Sequence, residues 1–285
     1  MKRALLVIVL AGVALGAAFA QRRWGGRGWG GEYDSARTAR EVEQHGQVTP
    51  TWTNLPGFSA DVFTFARIKR DRYPYSWGGG TWWTDAPDSD LNLSFRLQQI
   101  TAMKVDPDGI FLTLKDEELR NYPFIYMVEP GTLTFSDDEV GALRRYLLNG
   151  GFLMLDDFWG EAEWARMEGE LKKVFPDRNF VELDLSDPLY HCVFDIRSKG
   201  QVPNVELGTA SQYNGGVTWE RPDATEVHHR VIRDDKGRVM VIATHNTDNG
   251  DGWEWEGDNH YYFETFSEKI SYPLAINIIF YSMTH

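Results

Sequence analysis

A single cysteine, Cys192, excludes an intramolecular disulfide, so core packing alone must hold this chain together. Cations are also scarce: 29 Lys and Arg stand against 42 Asp and Glu, a formal charge of -13. Affinity for a phosphate backbone comes from neutralising it with Lys and Arg, so nucleic acid and anionic lipid are disfavoured as partners. There is no Gly-x-Ser-x-Gly, no internal repeat and no complete catalytic motif. Long apolar runs are nearly absent too. The exception, residues 4–19, is about 16 residues against the roughly 20 that span a bilayer. It follows Lys2 and Arg3 and leads to Ala18-Phe19-Ala20, with small residues at both positions that determine cleavage before Gln21. Residues 1–20 therefore read as a secretory signal peptide, which predicts a periplasmic or extracellular protein with no membrane span after cleavage. No cysteine follows the run to carry a lipid anchor.

What is present divides in two. Residues 21–60 read as a flexible arm and linker, because Arg22-Arg23-Trp24-Gly25-Gly26-Arg27-Gly28-Trp29-Gly30-Gly31 has no period and its glycines are entropically costly to order. Residues 61–285 are expected to form a single α/β domain. Its centre is legible: residues 124–128 are a continuous apolar run stopped by Glu129-Pro130-Gly131, the pattern of a strand covered on both faces. Ser136 and Glu139 make a capping box, Val140, Leu143 and Leu147 a buried stripe, and Asn149-Gly150-Gly151 a left-handed cap before a strand at 152–155. A strand, helix and strand joined so tightly should be parallel. Around this unit the pattern predicts strands at 62–68, 110–114, 180–185 and 238–244. It predicts helices from Asp88 to Lys104, at 161–175 and at 273–283, and an aromatic, glycine-rich loop over 73–83.

These residues carry a resemblance. Trp82-Trp83-Thr84-Asp85-Ala86-Pro87-Asp88-Ser89-Asp90-Leu91-Asn92, Tyr122-Pro123-Phe124-Ile125-Tyr126, Leu148-Asn149-Gly150-Gly151-Phe152 and Asp156-Asp157 resemble the bacterial domain of unknown function 4159. Asp187-Pro188-Leu189-Tyr190-His191 and the segment from His245 to Trp253 extend the likeness over residues 62–285. It implies a mostly parallel, flavodoxin-like sheet flanked by helices, similar to class I glutamine amidotransferases, and no established activity. The amidotransferase nucleophile is missing. Cys192 lacks flanking glycines and reads as a packed, inert thiol.

The candidate cleft residues are Glu129, Asp156, Asp157, His191, His245, Asp248, Asp251 and Trp253. Glu129, Asp156, Asp157 and His245 close predicted strands, and open parallel sheets bind ligands outside the carboxyl ends of their strands. Alternation allows at most one of Asp156 and Asp157 to point straight into a given site; capping of the next helix by Asp157 is the alternative. Asp248 and Asp251 lie in an Asn/Asp/Gly loop that lacks EF-hand spacing, and such a loop is more often only a turn. Trp253 and Trp255, beside Asp251, Glu254 and Glu256, suit a stacking platform for a sugar. His228 and His229 read as surface or edge residues. Two functions stay open. The favoured one is a non-catalytic module of the cell envelope binding a glycan, peptide or protein; the alternative is a metal-assisted or carboxylate/His-dependent hydrolase. No cofactor is predicted under the first, and a divalent cation under the second.

Overall fold

Residues 30–55, 57, 61–70 and 81–285 are described in this computed structural model. The expected signal peptide, the arm up to residue 29 and Gly78-Gly79-Gly80 lie outside them. The chain forms two units, Met1–Ser35 and Ala36–His285. Of the first, the helix Gly30–Ser35 is described. No helix among the described residues is long and apolar enough to cross a membrane.

Among the described residues seven strands make one sheet: β1 Ala66–Ile68, β2 Ile110–Leu112, β3 Phe124–Val128, β4 Phe152–Asp156, β5 Val181–Glu182, β6 His228–Arg233 and β7 Val239–His245. Their order is β2-β1-β3-β4-β7-β6-β5. The first five positions pair parallel; β6 and β5 join antiparallel at one side. Counting β7 as the fifth parallel strand, the order is 2-1-3-4-5, that of a flavodoxin-like sheet. Its topological switch point lies between β1 and β3, where ligands enter such sheets.

Five helices cover the sheet or border its carboxyl rim: α1 Asp88–Ile100, α2 Asp137–Leu148, α3 Gly160–Val174, α4 Asn249–Glu254 and α5 Tyr272–Thr284. The continuous apolar runs of β3 and β4 are explained by a helical layer on each face. Phe124, Tyr126, Val128, Phe152 and Met154 pack with Leu93 and Leu97 of α1 and the Ile276 to Ile279 stretch of α5. Ile125, Met127, Leu153 and Leu155 pack with Leu143 and Leu147 of α2 and Met167 and Leu171 of α3. Burying each such side chain contributes about 1.5–3 kcal/mol. The capping box at Ser136 and Glu139 is formed as expected, and Gly150 turns the chain at φ 105°.

Some expectations need correction. Beyond β1, Phe63 makes only an isolated bridge to Val105, and β5 is two residues long because pairing to β6 covers only Val181 and Glu182. His228 and His229 are not on an edge: β6 lies between β7 and β5, and His229 is buried. Residues 36–55, expected in the linker, belong to the second unit. The Arg40 guanidinium donates to the Thr49 and Pro107 carbonyls, and the His45 and Gly46 amides donate to the Asp88 carboxylate at 2.8 and 3.1 Å.

Candidate functional site

Three adjacent parallel strands end in the same unusual way. Glu129 after β3, Asp157 after β4 and Asn246 after β7 have φ of 49°, 57° and 60°, and Asp85, in the turn before α1, has φ 64°. Left-handed backbone costs a non-glycine residue about 1 kcal/mol or more, so each bend must be held by its surroundings. The Glu129 amide donates to the Asp156 carbonyl at 2.9 Å, and Arg70 donates to the Glu129 carbonyl at 2.9 Å. Asn246 is fixed by its amide on the Phe158 carbonyl and by the Gly160 amide on its side-chain oxygen. These bends aim side chains across the carboxyl rim.

Asp85 reaches that rim through Arg67. Fully buried in β1, the Arg67 guanidinium donates to the Trp82 and Thr84 carbonyls at 3.2 and 2.8 Å and pairs with Asp90 at 2.5 Å. This pins the turn that carries Asp85. Asn92 completes the scaffold by donating to the Trp253 and Glu254 carbonyls at the end of α4. The acidic segment 85–92 thus ties β1, α1 and α4 together.

Around the pinned turn the carboxylates gather. Ligand oxygens of Asp85, Asp157 and Asp248 lie within 4.8 Å of one another, as do those of Asp85, Asp251 and Glu254. Asp85 Oδ2 is buried and accepts no hydrogen bond. Three of the others have one oxygen held by a protein donor, and Asp251 also shares a hydrogen bond with the Glu254 carboxyl. Trp159 Nε1 donates to Asp157 Oδ1 at 3.0 Å, the Asp251 amide to Asp248 Oδ1 at 2.8 Å, and the Val205 amide to Asp251 Oδ2 at 2.6 Å. Such donors orient the carboxylates as supporting groups orient metal ligands.

The electrostatics follow from that crowding. Burial first, then the neighbouring acids, pushes Asp85, Asp157, Asp248 and Glu254 well above the ordinary carboxylate range. Burial likewise raises Asp251 to about 7. Glu129, accepting from the Thr84 hydroxyl at 3.0 Å, is raised by burial to about 7 against the pull of Arg70. Mutually repelling carboxylates in low dielectric are relieved by protons or by a cation. All the donors are oxygens, which suits a hard divalent ion of the Mg²⁺, Ca²⁺ or Mn²⁺ kind.

Of the expected residues, Glu129, Asp157, Asp248 and Asp251 converge on this crevice. Asp156 stands beneath it as an anchor, accepting from the Tyr126 and Thr244 hydroxyls, the Asn249 amide and the Gly250 backbone. His245 turns away. Along β7, Thr244 faces Asp156, so His245 faces the other layer, where it donates to the Gly160 carbonyl and stacks on Phe158. Burial lowers its imidazole to about 4. His191 is occupied by Asp195 and the Leu185 carbonyl in its own loop. Trp253 is no platform: it is fully buried against Tyr126 and Phe65, because the apolar side of α4 closes the core. Cys192 donates to the Pro188 carbonyl, and burial pushes its thiol up.

Asp85, Arg67 and Glu254 were not among the candidates. The three-residue spacing of Asp248, Asp251 and Glu254 was the available signal, since residues three apart share a helix face. The family model described as a domain of unknown function (DUF4159) matches residues 64–283. No curated protein matches the chain.

Proposed function

The chain belongs to the DUF4159 family, and from the site we propose that it is an exported, non-catalytic binding module whose ligand site is organised by a divalent cation on Asp85, Asp157 and Asp248. One observation carries this reading. Asp85 Oδ2 is buried without a hydrogen-bond partner, in a group of three carboxylates whose ligand atoms lie within 4.8 Å. An orphaned anionic oxygen in such a place costs several kcal/mol unless a charge or donor meets it. The location supports the same reading, because the carboxylates stand at the carboxyl ends of parallel strands in a flavodoxin-like order, the edge where such sheets bind ligands. The N-terminal leader pattern supports export. An oxygen-bearing envelope ligand, such as a glycan, would complete the cation's coordination.

The hydrolase alternative keeps only its carboxylate and metal part, since His191 and His245 are engaged elsewhere. Elemental analysis and thermal melting of the purified protein, with and without chelator, test the proposal. Stoichiometric Ca²⁺, Mg²⁺ or Mn²⁺, lost together with several degrees of melting temperature, is expected. The Asp157→Asn protein should lose the ion held by Asp85, Asp157 and Asp248. A metal-free protein whose melting ignores added cations would overturn it.

A further inference from the structure

We infer that Asp85 bridges two divalent cations, the second held by Asp251 and Glu254. This rests on the cation reading above and adds a second, distinct ion to it. Asp85 is the one residue common to the two groups of converging carboxylates. Asp251 and Glu254 lie three residues apart on one side of α4, and Asp248 is its N-cap, accepting from the Asp251 amide at 2.8 Å. Asp85 meets that side from the opposite wall. A β-carbon on Gly250 would stand 2.1 Å from Asp85 Oδ2, so the absence of a side chain there lets the carboxylate reach between Asp248 and Asp251.

Charge favours a pair of ions. Five carboxylates meet here, and Arg67, whose charge acts on Asp85, is paired with Asp90. With all five ionised, one dication would leave three negative charges in a largely buried space, whereas two leave one. A carboxylate that reaches both ions is the usual bridge in paired sites, whose metals stand about 3.5–4 Å apart. Glu129 remains outside both groups, with Thr84 as its partner.

Titration of chelator-treated full-length protein with Mn²⁺, followed by calorimetry and electron paramagnetic resonance, decides the matter. The native protein is expected to take two equivalents and to give a magnetically coupled Mn²⁺ signal. Glu254→Gln and, independently, Asp251→Asn should each lose one equivalent and leave an isolated, uncoupled ion. Asp85→Asn should abolish the coupling. Circular dichroism and melting establish that each variant is folded, and the two second-site variants guard against either failing to fold. One equivalent in the native protein, unchanged by Glu254→Gln, overturns the second site and leaves the first standing. Two uncoupled equivalents that survive Asp85→Asn overturn the bridge. No binding at all overturns both readings.

Discussion

The Tyr126 hydroxyl donates to Asp156 Oδ2 at 3.1 Å, joining the middle of β3 to the end of β4 inside the core. The same carboxylate receives Thr244 at 2.5 Å, Asn249 at 2.8 Å and the Gly250 amide at 3.1 Å. It therefore fastens α4, and the acids on it, to the sheet. Asp156→Ala strands three buried donors, Thr244 keeping the Leu155 carbonyl at 3.0 Å, and should cost about 3–5 kcal/mol, whereas Tyr126→Phe removes one bond to a carboxylate and should cost about 1.5–3 kcal/mol. Urea denaturation of both variants checks the ordering; equal losses would refute the anchoring role.

Gly250 tests the closeness of Asp85 to α4. By helix propensity alone, Gly→Ala would stabilise by up to about 1 kcal/mol. Here the new methyl would meet Asp85 Oδ2 at 2.1 Å and the Tyr126 hydroxyl at 3.1 Å, and overpacking of that kind costs about 1–3 kcal/mol. The clash wins. Gly250→Ala should melt below the native protein and bind cations more weakly, while a stabilised variant would mean that the turn before α1 gives way.

His229 makes stability depend on acid. Burial lowers its imidazole to about 3, with Nδ1 2.8 Å from the Tyr190 hydroxyl and Nε2 without a partner. Between pH 6.5 and 3 the unfolded chain takes up a proton that the folded one refuses. Stability from this group is complete above pH 6.5 and falls as the pH drops, by up to about 1.4 kcal/mol per unit. Urea midpoints measured from about pH 7 to about pH 4 should show that slope, and His229→Gln should flatten it.

Glu129 has the opposite sign. Its folded carboxyl titrates at about 7 rather than 4.5, so the folded chain keeps a proton that the unfolded chain has lost, and stability falls as the pH rises through that window. Glu129→Gln imitates the protonated form. In chelator at about pH 8 it should exceed the native protein by on the order of 1–2 kcal/mol, and at about pH 4 the difference should vanish. An unchanged difference across that range would place the charge elsewhere.

The sheet centre was legible because its signals are local. An unbroken apolar run, a reciprocal cap and a Gly-Gly turn lie next to one another between Phe124 and Phe152, and all point to the same element order. β6 was not. His228, His229 and Arg230 look solvent-facing in sequence, yet Tyr190, Glu182 and Trp164, all distant along the chain, meet them. Trp253 misled for the same reason: its neighbours in sequence are acids and glycines, while its neighbours in space are Phe65 and Tyr126. Of the site, the strand-end acids could be named from position alone. Asp85 could not, because only the pairing of β1 beside β3 and the grip of Arg67 bring it to the rim.

The left-handed residues at the ends of β3, β4 and β7 have an evolutionary corollary. Glycine at Glu129, Asp157 or Asn246 would release backbone energy, about 1 kcal/mol or more at Glu129 and less at Asp157 and Asn246, at no expense to the hydrophobic layers. A laboratory selection for heat tolerance alone should therefore drift these three positions toward glycine, and the hardiest survivors would be the ones whose rim had gone chemically blank.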